Sequence, residues 1–342
     1  MDSASVKNST PPRITRRQAL RLAAGGALCA WPIALAGAQD GPATASSPAS
    51  APAAPPEPPW WMGDEATARV VEIRSARSAR AGNIDRTRLR EMLEEGLVAL
   101  TGESDPVQAW RAVLKDAERP CIKFNSVGAD VLRTNEPMAD ALLDSLEPAG
   151  YGADSIWTVE APALLVQKRA VANPPAGWGE TIEVEGLVQP LANWLLESDA
   201  IINVGFLKSH RIAGMSAAMK NISHSVIRSP ARHHANRCSP AVAQVIGAAA
   251  VSRRLRLSIV NALRIVPDRG PEASESDVSW WGGLLLGQDP VALDAVGHMA
   301  LEAERHRLGL PSKLEVDYVR AAESMGVGRI RPESVVRLDR ER

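Results

Sequence analysis

The run AIINVGF, residues 200–206, is apolar at almost every position and does not alternate between apolar and polar. A strand with one wet face alternates, whereas a continuous run of this length belongs to a strand covered on both faces. Similar runs recur at PCIKFN (120–125), SIWTVEA (155–161), RLSIVNAL (256–263) and GGLLLGQ (282–288), and between them lie stretches of helical periodicity. ARVVEIRS (68–75) reads as another strand. Asp85 then reads as the cap of a helix whose apolar positions Leu89, Met92, Leu93, Leu97 and Leu100 recur at helical spacing. From Glu315 the pattern predicts one more helix and a short strand. The expected fold is α/β, a mainly parallel sheet with helices on both faces, in one lobe or two.

Ahead of this region the chain changes character. Residues 1–38 place Arg16 and Arg17 before a short Ala/Gly/Leu-rich segment that ends in Ala36-Gly37-Ala38, the order of parts in a cleaved twin-arginine signal peptide. Residues 39–59, QDGPATASSPASAPAAPPEPP, form a Pro/Ala/Ser linker that cannot bury a core. The α/β domain is expected to occupy residues 60–342. This organisation predicts a periplasmic or exported protein that meets the twin-arginine translocation machinery and keeps no stable membrane span after processing. Loss of residues 1–38 removes five cations and one acid, which moves the formal charge from -1 to -5. A mildly acidic exported chain argues against a nucleic-acid partner. Cys121 and Cys238 remain, either as a disulfide in an oxidising compartment or as two separately buried thiols. With no CxxC, no iron-sulfur cluster is expected.

In parallel α/β sheets ligands gather at the carboxyl ends of the strands. That rule selects Lys123 and Asn125 after CIKFN, Lys208 and His210 after AIINVGF, Asn261 at LSIVN, and Asp289 after LLLGQ. Charge selects the same region. Residues 200–267 contain no Asp or Glu but carry ten Lys and Arg, a local positive field suited to drawing in a small anion. Acids from elsewhere in the fold would neutralise that field. The chain has seven lysines against 32 arginines, yet Lys123, Lys208 and Lys220 all fall at these places. A desolvated lysine can lose its proton or form a covalent adduct, which arginine does not readily do.

If a helix begins near Ala213, Gly214 and Ser216 let an anion approach its amino terminus, and Lys220 and His224 share a face. His210, just before it, is then placed for proton transfer near neutral pH. His224, His233 and His234 are candidate ligands for a transition metal, although none has a standard spacing. Asp289 in DPVALDAV also suits a helix cap.

CIKFN, INVGFLKSH, AMKN and GQDPVALDAVG, in that order, resemble the uncharacterised domain-of-unknown-function family 362 in its exported bacterial branch. The resemblance runs from about Ile84 to His298 and implies motif roles for Lys123, Asn125, Lys208, His210, Lys220, Asn221 and Asp289. Asn135 stands where relatives tend to carry His, and Asn261 where Asp is usual. HRIAGMSAAMK (210–220) is also similar to a segment of nickel-pincer lactate racemases. That second likeness implies a catalytic role for His210, a covalently held cofactor on Lys220, and His233 or His234 as a nickel ligand, with no counterpart of those enzymes' amino-terminal nucleotide-binding motif. The function expected is an enzyme with His210 and Lys220 as catalytic residues and Lys123, Asn125, Lys208, Ser216, Asn221 and Asp289 binding a small anionic metabolite. Racemase- or isomerase-like chemistry, or redox chemistry next to a carboxylate, would suit them. The alternative is a non-catalytic periplasmic anion-binding protein.

Overall fold

A computed structural model describes residues 58–63, 68–80, 83–169, 171–310 and 314–340. The signal expected at 1–38 and the linker through residue 57 lie outside the described residues. The strands, in chain order, begin with β1 (Arg69–Ser75), the short ribbon β2 (Ala79–Arg80) and β3 (Asn83–Ile84), β4 (Pro120–Lys123) and β5 (Trp157–Val159). A second ribbon, β6 (Trp178–Val184) and β7 (Leu187–Ala192), precedes β8 (Ala200–His210), β9 (Gly214–Ser216), β10 (Leu255–Val266), β11 (Ser279–Gly287) and β12 (Ser334–Arg340).

The main sheet has the order β12-β1-β11-β10-β8-β4-β5, with β9 folded back on β8. Its neighbours pair in parallel except that β11 is antiparallel to both β10 and β1, and the short β9 is antiparallel to β8. The mainly parallel sheet is therefore as expected, with one reversed strand in its interior.

The continuous apolar runs are explained by two separate cores. Ile201, Val260 and Leu285 face one of them, together with Val291 and with Ala218, Met219 and Ile222 of the helix Ala218–Val226, α4. Ile202, Val204, Ile259, Leu284 and Leu286 face the other, against Leu89, Leu93, Met138 and Leu142. Alternate residues of each strand thus enter opposite cores, so both parities must be apolar. On the second face lie α1 (Arg86–Thr101), α2 (Pro106–Leu114) and α3 (Asn135–Leu146); the first is covered by α4, α5 (Ala241–Gly247), α6 (Pro290–Arg307) and α7 (Asp317–Ser324). Helix α1 starts where read: Asp85 accepts the Arg88 N–H at 2.9 Å and Gly102 closes the helix at φ 77°, a cap worth about 1 kcal/mol.

Cys121 and Cys238 are both buried and unpaired. They occupy separate places, as the alternative to a disulfide required. Among the described residues, no helix is long and apolar enough to cross a membrane.

Candidate functional site

The strand directions decide which of the expected residues meet. The carboxyl ends of β4, β8 and β10 share one rim of the sheet, and Lys123, Lys208 and His210 lie there or on the way to it. Because β11 runs the other way, its end lies at the opposite rim, where Gly287 pairs with Ser258 and Val70 near the starts of β10 and β1. Asp289 is therefore away from the site. Its Oδ1 accepts the Val291 and Ala292 N–H groups at 2.8 and 3.1 Å, and its Oδ2 accepts the Arg329 N–H at 2.9 Å. The expectation that Asp289 binds an anion is corrected: it is a buried helix cap, and all its bonds are internal.

Lys123 is also committed to the fold. Its buried ammonium pairs with Glu160 at 3.0 Å, donates to Asn221 Oδ1 at 3.0 Å and touches the Phe124 carbonyl. Burial pulls its pKa down, and Glu160 partly offsets this. Burial pushes Glu160 up, but Lys123 and two hydrogen bonds from Ser126 hold its carboxyl below the ordinary value. The network continues inward: Asn221 Nδ2 donates to Asn203 Oδ1 at 2.7 Å and to the Val204 carbonyl, and Asn203 Nδ2 reaches Ser258 Oγ at 3.2 Å. Asn221 thus spends both ends of its amide on the scaffold. Asn125 turns its Oδ1 to the Val127 N–H, and its carbonyl accepts from Asn135 Nδ2 at 2.7 Å. Asn261 likewise braces a loop, donating to the Thr134 carbonyl at 3.3 Å. Asn221 and Asn261 are thus spent on the scaffold at both ends of the amide, whereas Asn125 is bonded through Oδ1 alone and Asn135 keeps a buried Oδ1 without a hydrogen-bond partner.

The helix expected near residue 213 begins later. Residues 214–216 form β9, with Ser216 opposite Lys208, and α4 starts at Ala218. Gly214 has φ 76°, and a Cβ there would lie 2.1 Å from the Glu315 carbonyl oxygen, so only glycine lets these segments meet. Ser216 is buried as the last residue of β9, two positions before the helix start. The first N–H groups of α4 are already taken: Ala218 and Met219 donate to the two oxygens of Asp294 at 2.7 and 3.2 Å. Tyr318 adds its hydroxyl at 3.2 Å. An anion is indeed held at this helix end, but it is the protein's own carboxylate. Burial raises Asp294 to about 7 against those three bonds.

What remains free is Lys220. It is 6% exposed, carried on the first turn of α4, and its amine has no hydrogen-bond or ion-pair partner among the described residues. Burial lowers it to about 8. Lys208, 2% exposed, touches only the Val127 carbonyl, with the Phe206 ring 5.9 Å away. Burial, then the charges of Lys220 and Lys123, lower it to about 7.

Four histidines differ sharply beside these amines. His210 Nδ1 accepts the Ile212 and Ala213 N–H groups, both at 3.2 Å, so its neutral ring carries the proton on Nε2. Burial and Lys220 hold its pKa at about 3. Such a ring donates a hydrogen bond but is no general base, which corrects the expected role in part. The His224 and His234 rings lie 5.3 Å apart between centroids and tilted by 38°, and those of His210 and His234 6.0 Å apart and tilted by 35°. His233 turns aside, with Nδ1 2.8 Å from Glu185 Oε2. Of the two nickel-ligand candidates, only His234 therefore joins the cluster. Lys220 fits a covalently held group in that its amine is unpartnered.

The positive field resolves by residue type. Arg211, Arg237 and Arg264 pair with Glu272, Asp317 and Glu275, acids outside the acid-free window. Lys208 and Lys220 have no such partner among the described residues. An open depression of about 610 Å³ is bordered by His210, Arg211, Arg237 and Arg269 together with Asp268, Glu272 and Glu315; Lys208 and Lys220 are not among its lining residues. A larger cleft of about 940 Å³ lies on the Glu160 side, along Ser126, Asn135 and Arg133.

Three residues of the site escaped the sequence reading. Glu160 ends its strand as Lys123 does, so the strand-end rule should have found it. Asn203 interrupts an apolar run, and Asp294 sits among apolar residues five positions into α6. A lone polar residue in an apolar element was the available signal in both.

Residues 158–298 match the family described as Domain of unknown function (DUF362). The segment holds Glu160, Lys208, His210, Lys220, the histidine cluster and Asp294. No curated protein matches the sequence. Among solved structures, the lactate racemase apoprotein from Thermoanaerobacterium thermosaccharolyticum is similar at 12% identity and TM-score 0.40, over 67% of this chain and 56% of that one. A protein from Thermotoga maritima is similar at 11% identity and TM-score 0.41, over 65% and 59%. The chain thus spans less than two thirds of either structure.

Proposed function

We propose that the protein is an enzyme that moves a proton next to the carboxylate or carbonyl of a small anionic metabolite, in the manner of a racemase or isomerase. The observation that carries this reading is the buried, unpartnered amine of Lys220. A desolvated amine with a pKa near neutrality can take a proton, and in its charged form attract an anion. Lys208 adds a second positive charge for the carboxylate. His210 Nε2–H is a donor for the oxygen that gains charge as the proton leaves, the task of a neutral imidazole near an enolate. A cofactor held on Lys220 would supply an acceptor for hydride.

The test is solvent-deuterium incorporation next to the carboxylate or carbonyl, at C2 of a panel of small 2-hydroxy acids and at C3 of the matching 2-keto acids, followed by NMR. Exchange is expected for at least one acid, and Lys220→Met should slow it about 100-fold or more. Exchange that survives this substitution would overturn the assignment. The engagement of His210 Nδ1, which removes a base, favours a second reading as a binder. Tight binding with no exchange in any acid would select it.

Export is part of the same proposal, supported by Arg16-Arg17 and the Ala36-Gly37-Ala38 pattern. Changing both arginines to lysine is expected to abolish appearance of the protein outside the cytoplasm in fractionated cells. Unchanged export would refute the twin-arginine route.

A further inference from the structure

Helix α4 and the two turns after it, Pro230–His233 and Ala235–Cys238, bring three metal-binding side chains together. One ligand atom from each of His224, His234 and Cys238 lies within 4.8 Å of the others. In a tetrahedral site with metal–nitrogen bonds near 2.0 Å and metal–sulfur bonds near 2.3 Å, such atoms stand about 3.3 to 3.6 Å apart. Side-chain adjustments of about 1 Å would therefore close the set around an ion.

A second observation points to a ligand independently. His224 Nδ1 lies 3.1 Å from Ser223 Oγ, whereas its Nε2 is buried with no hydrogen-bond partner. A ring fixed through one nitrogen, with the other presented bare, is the arrangement found at metal-bound histidines. The backbone is also committed, since Asn236, Arg237 and Cys238 follow one another at φ 47°, 56° and 63°. Three successive non-glycine residues in the left-handed region cost conformational energy, and here they bring the Cys238 sulfur back to the histidines.

We infer that His224, His234 and Cys238 form a three-ligand site for a late first-row divalent cation, Zn²⁺ being the representative. Imidazole nitrogen and thiolate select such ions over Mg²⁺ or Ca²⁺, which require oxygen donors. His233 is left out because the ligand atoms that lie within 4.8 Å of one another belong to His224, His234 and Cys238 alone among the described residues. Binding forms one metal–sulfur bond and breaks the Cys238 S–H bond, and the proton passes to solvent. Three ligands leave a fourth position open. Thiolate and dication leave a net positive charge beside Lys220, so that position would take an anion such as hydroxide or carboxylate. The assignment does not depend on the proton-transfer reading.

Co²⁺ added to the full chain serves as the probe. One Co²⁺ per chain is expected, with a thiolate-to-metal charge-transfer band and the intense visible bands of four-coordinate cobalt. Cys238→Ser should remove the charge-transfer band, Cys121→Ser should keep it, and His224→Gln and His234→Gln should each weaken binding about tenfold or more. Absence of the band, or its survival in Cys238→Ser, overturns the site. Should Cys238→Ser fail to fold, alkylation of the wild-type chain in mild denaturant decides instead. Zn²⁺ should protect Cys238 selectively, and equal protection of both thiols, or of neither, refutes the proposal.

Discussion

Lys220→Met is expected to raise the stability of the protein at pH 7 by about 1 to 2 kcal/mol while weakening small-carboxylate binding about tenfold to a hundredfold. Both effects have one cause. Lys220 is buried without a partner for its charge, so the empty fold bears its desolvation and a bound anion relieves it. Methionine keeps an unbranched stem in the same space and removes the charge. In the unfolded chain a lysine holds its proton to about 10.4, whereas burial brings Lys220 to about 8 and Lys208 to about 7. Between those limits the unfolded state carries more protons, so the wild type should gain stability as pH rises from about 7 toward 10. In Lys220→Met the gain should shrink, leaving the share of Lys208. Denaturant unfolding at several pH values, with and without a carboxylate ligand, checks each part. A variant less stable than wild type at pH 7 would show that the amine has a partner after all.

Asp294→Ala should be the most damaging single change, costing about 3 to 5 kcal/mol and lowering the melting midpoint by about 10 °C. It strips acceptors from two buried N–H groups and from the Tyr318 hydroxyl, while the relief of burying a carboxylate returns part of the loss. The first turn of α4 carries Lys220 and Asn221, so solvent-deuterium exchange should fall with the stability. Asp294→Asn keeps one acceptor and is expected to lose less. Asp294 itself has its pKa raised to about 7 by burial. The unfolded chain therefore releases this proton first, and the carboxylate's contribution to stability declines as pH rises from about 4 to about 7. Asp294→Asn should flatten that decline. Thermal unfolding across this range, compared between wild type and both variants, decides whether the group acts as described.

The fold was legible because AIINVGF and its fellows are apolar at both parities, which only a doubly covered strand requires. Strand direction was not legible. GGLLLGQ has the same composition whichever way it runs, and the reversal of β11 alone moved Asp289 from the expected site to the opposite rim. The site was readable as a set of residue types and only partly as roles. Lys220 and Lys208 stood out because lysine is scarce in an arginine-rich chain, and they are the amines left unpaired. Lys123 stood out by the same scarcity and Asn221 by the family resemblance, but both are consumed by internal bonds that depend on Glu160 and Asn203, which a strand end and an apolar run far away in sequence supply. The start of α4 was misplaced because β9 intervenes and because the capping carboxylate comes from α6.

The pairing of β1 has a consequence for how the protein is made. Val70 is hydrogen-bonded into the sheet only between Gly287 of β11 and Val335 of β12. A nascent chain that has released β1 must wait for nearly all the remaining strands before that segment finds either neighbour. Until then its two edges are unpaired templates for other strands. Completion of the sheet is thus a late event in synthesis, and a chaperone that shelters β1 would act on the longest-lived vulnerable state of the molecule.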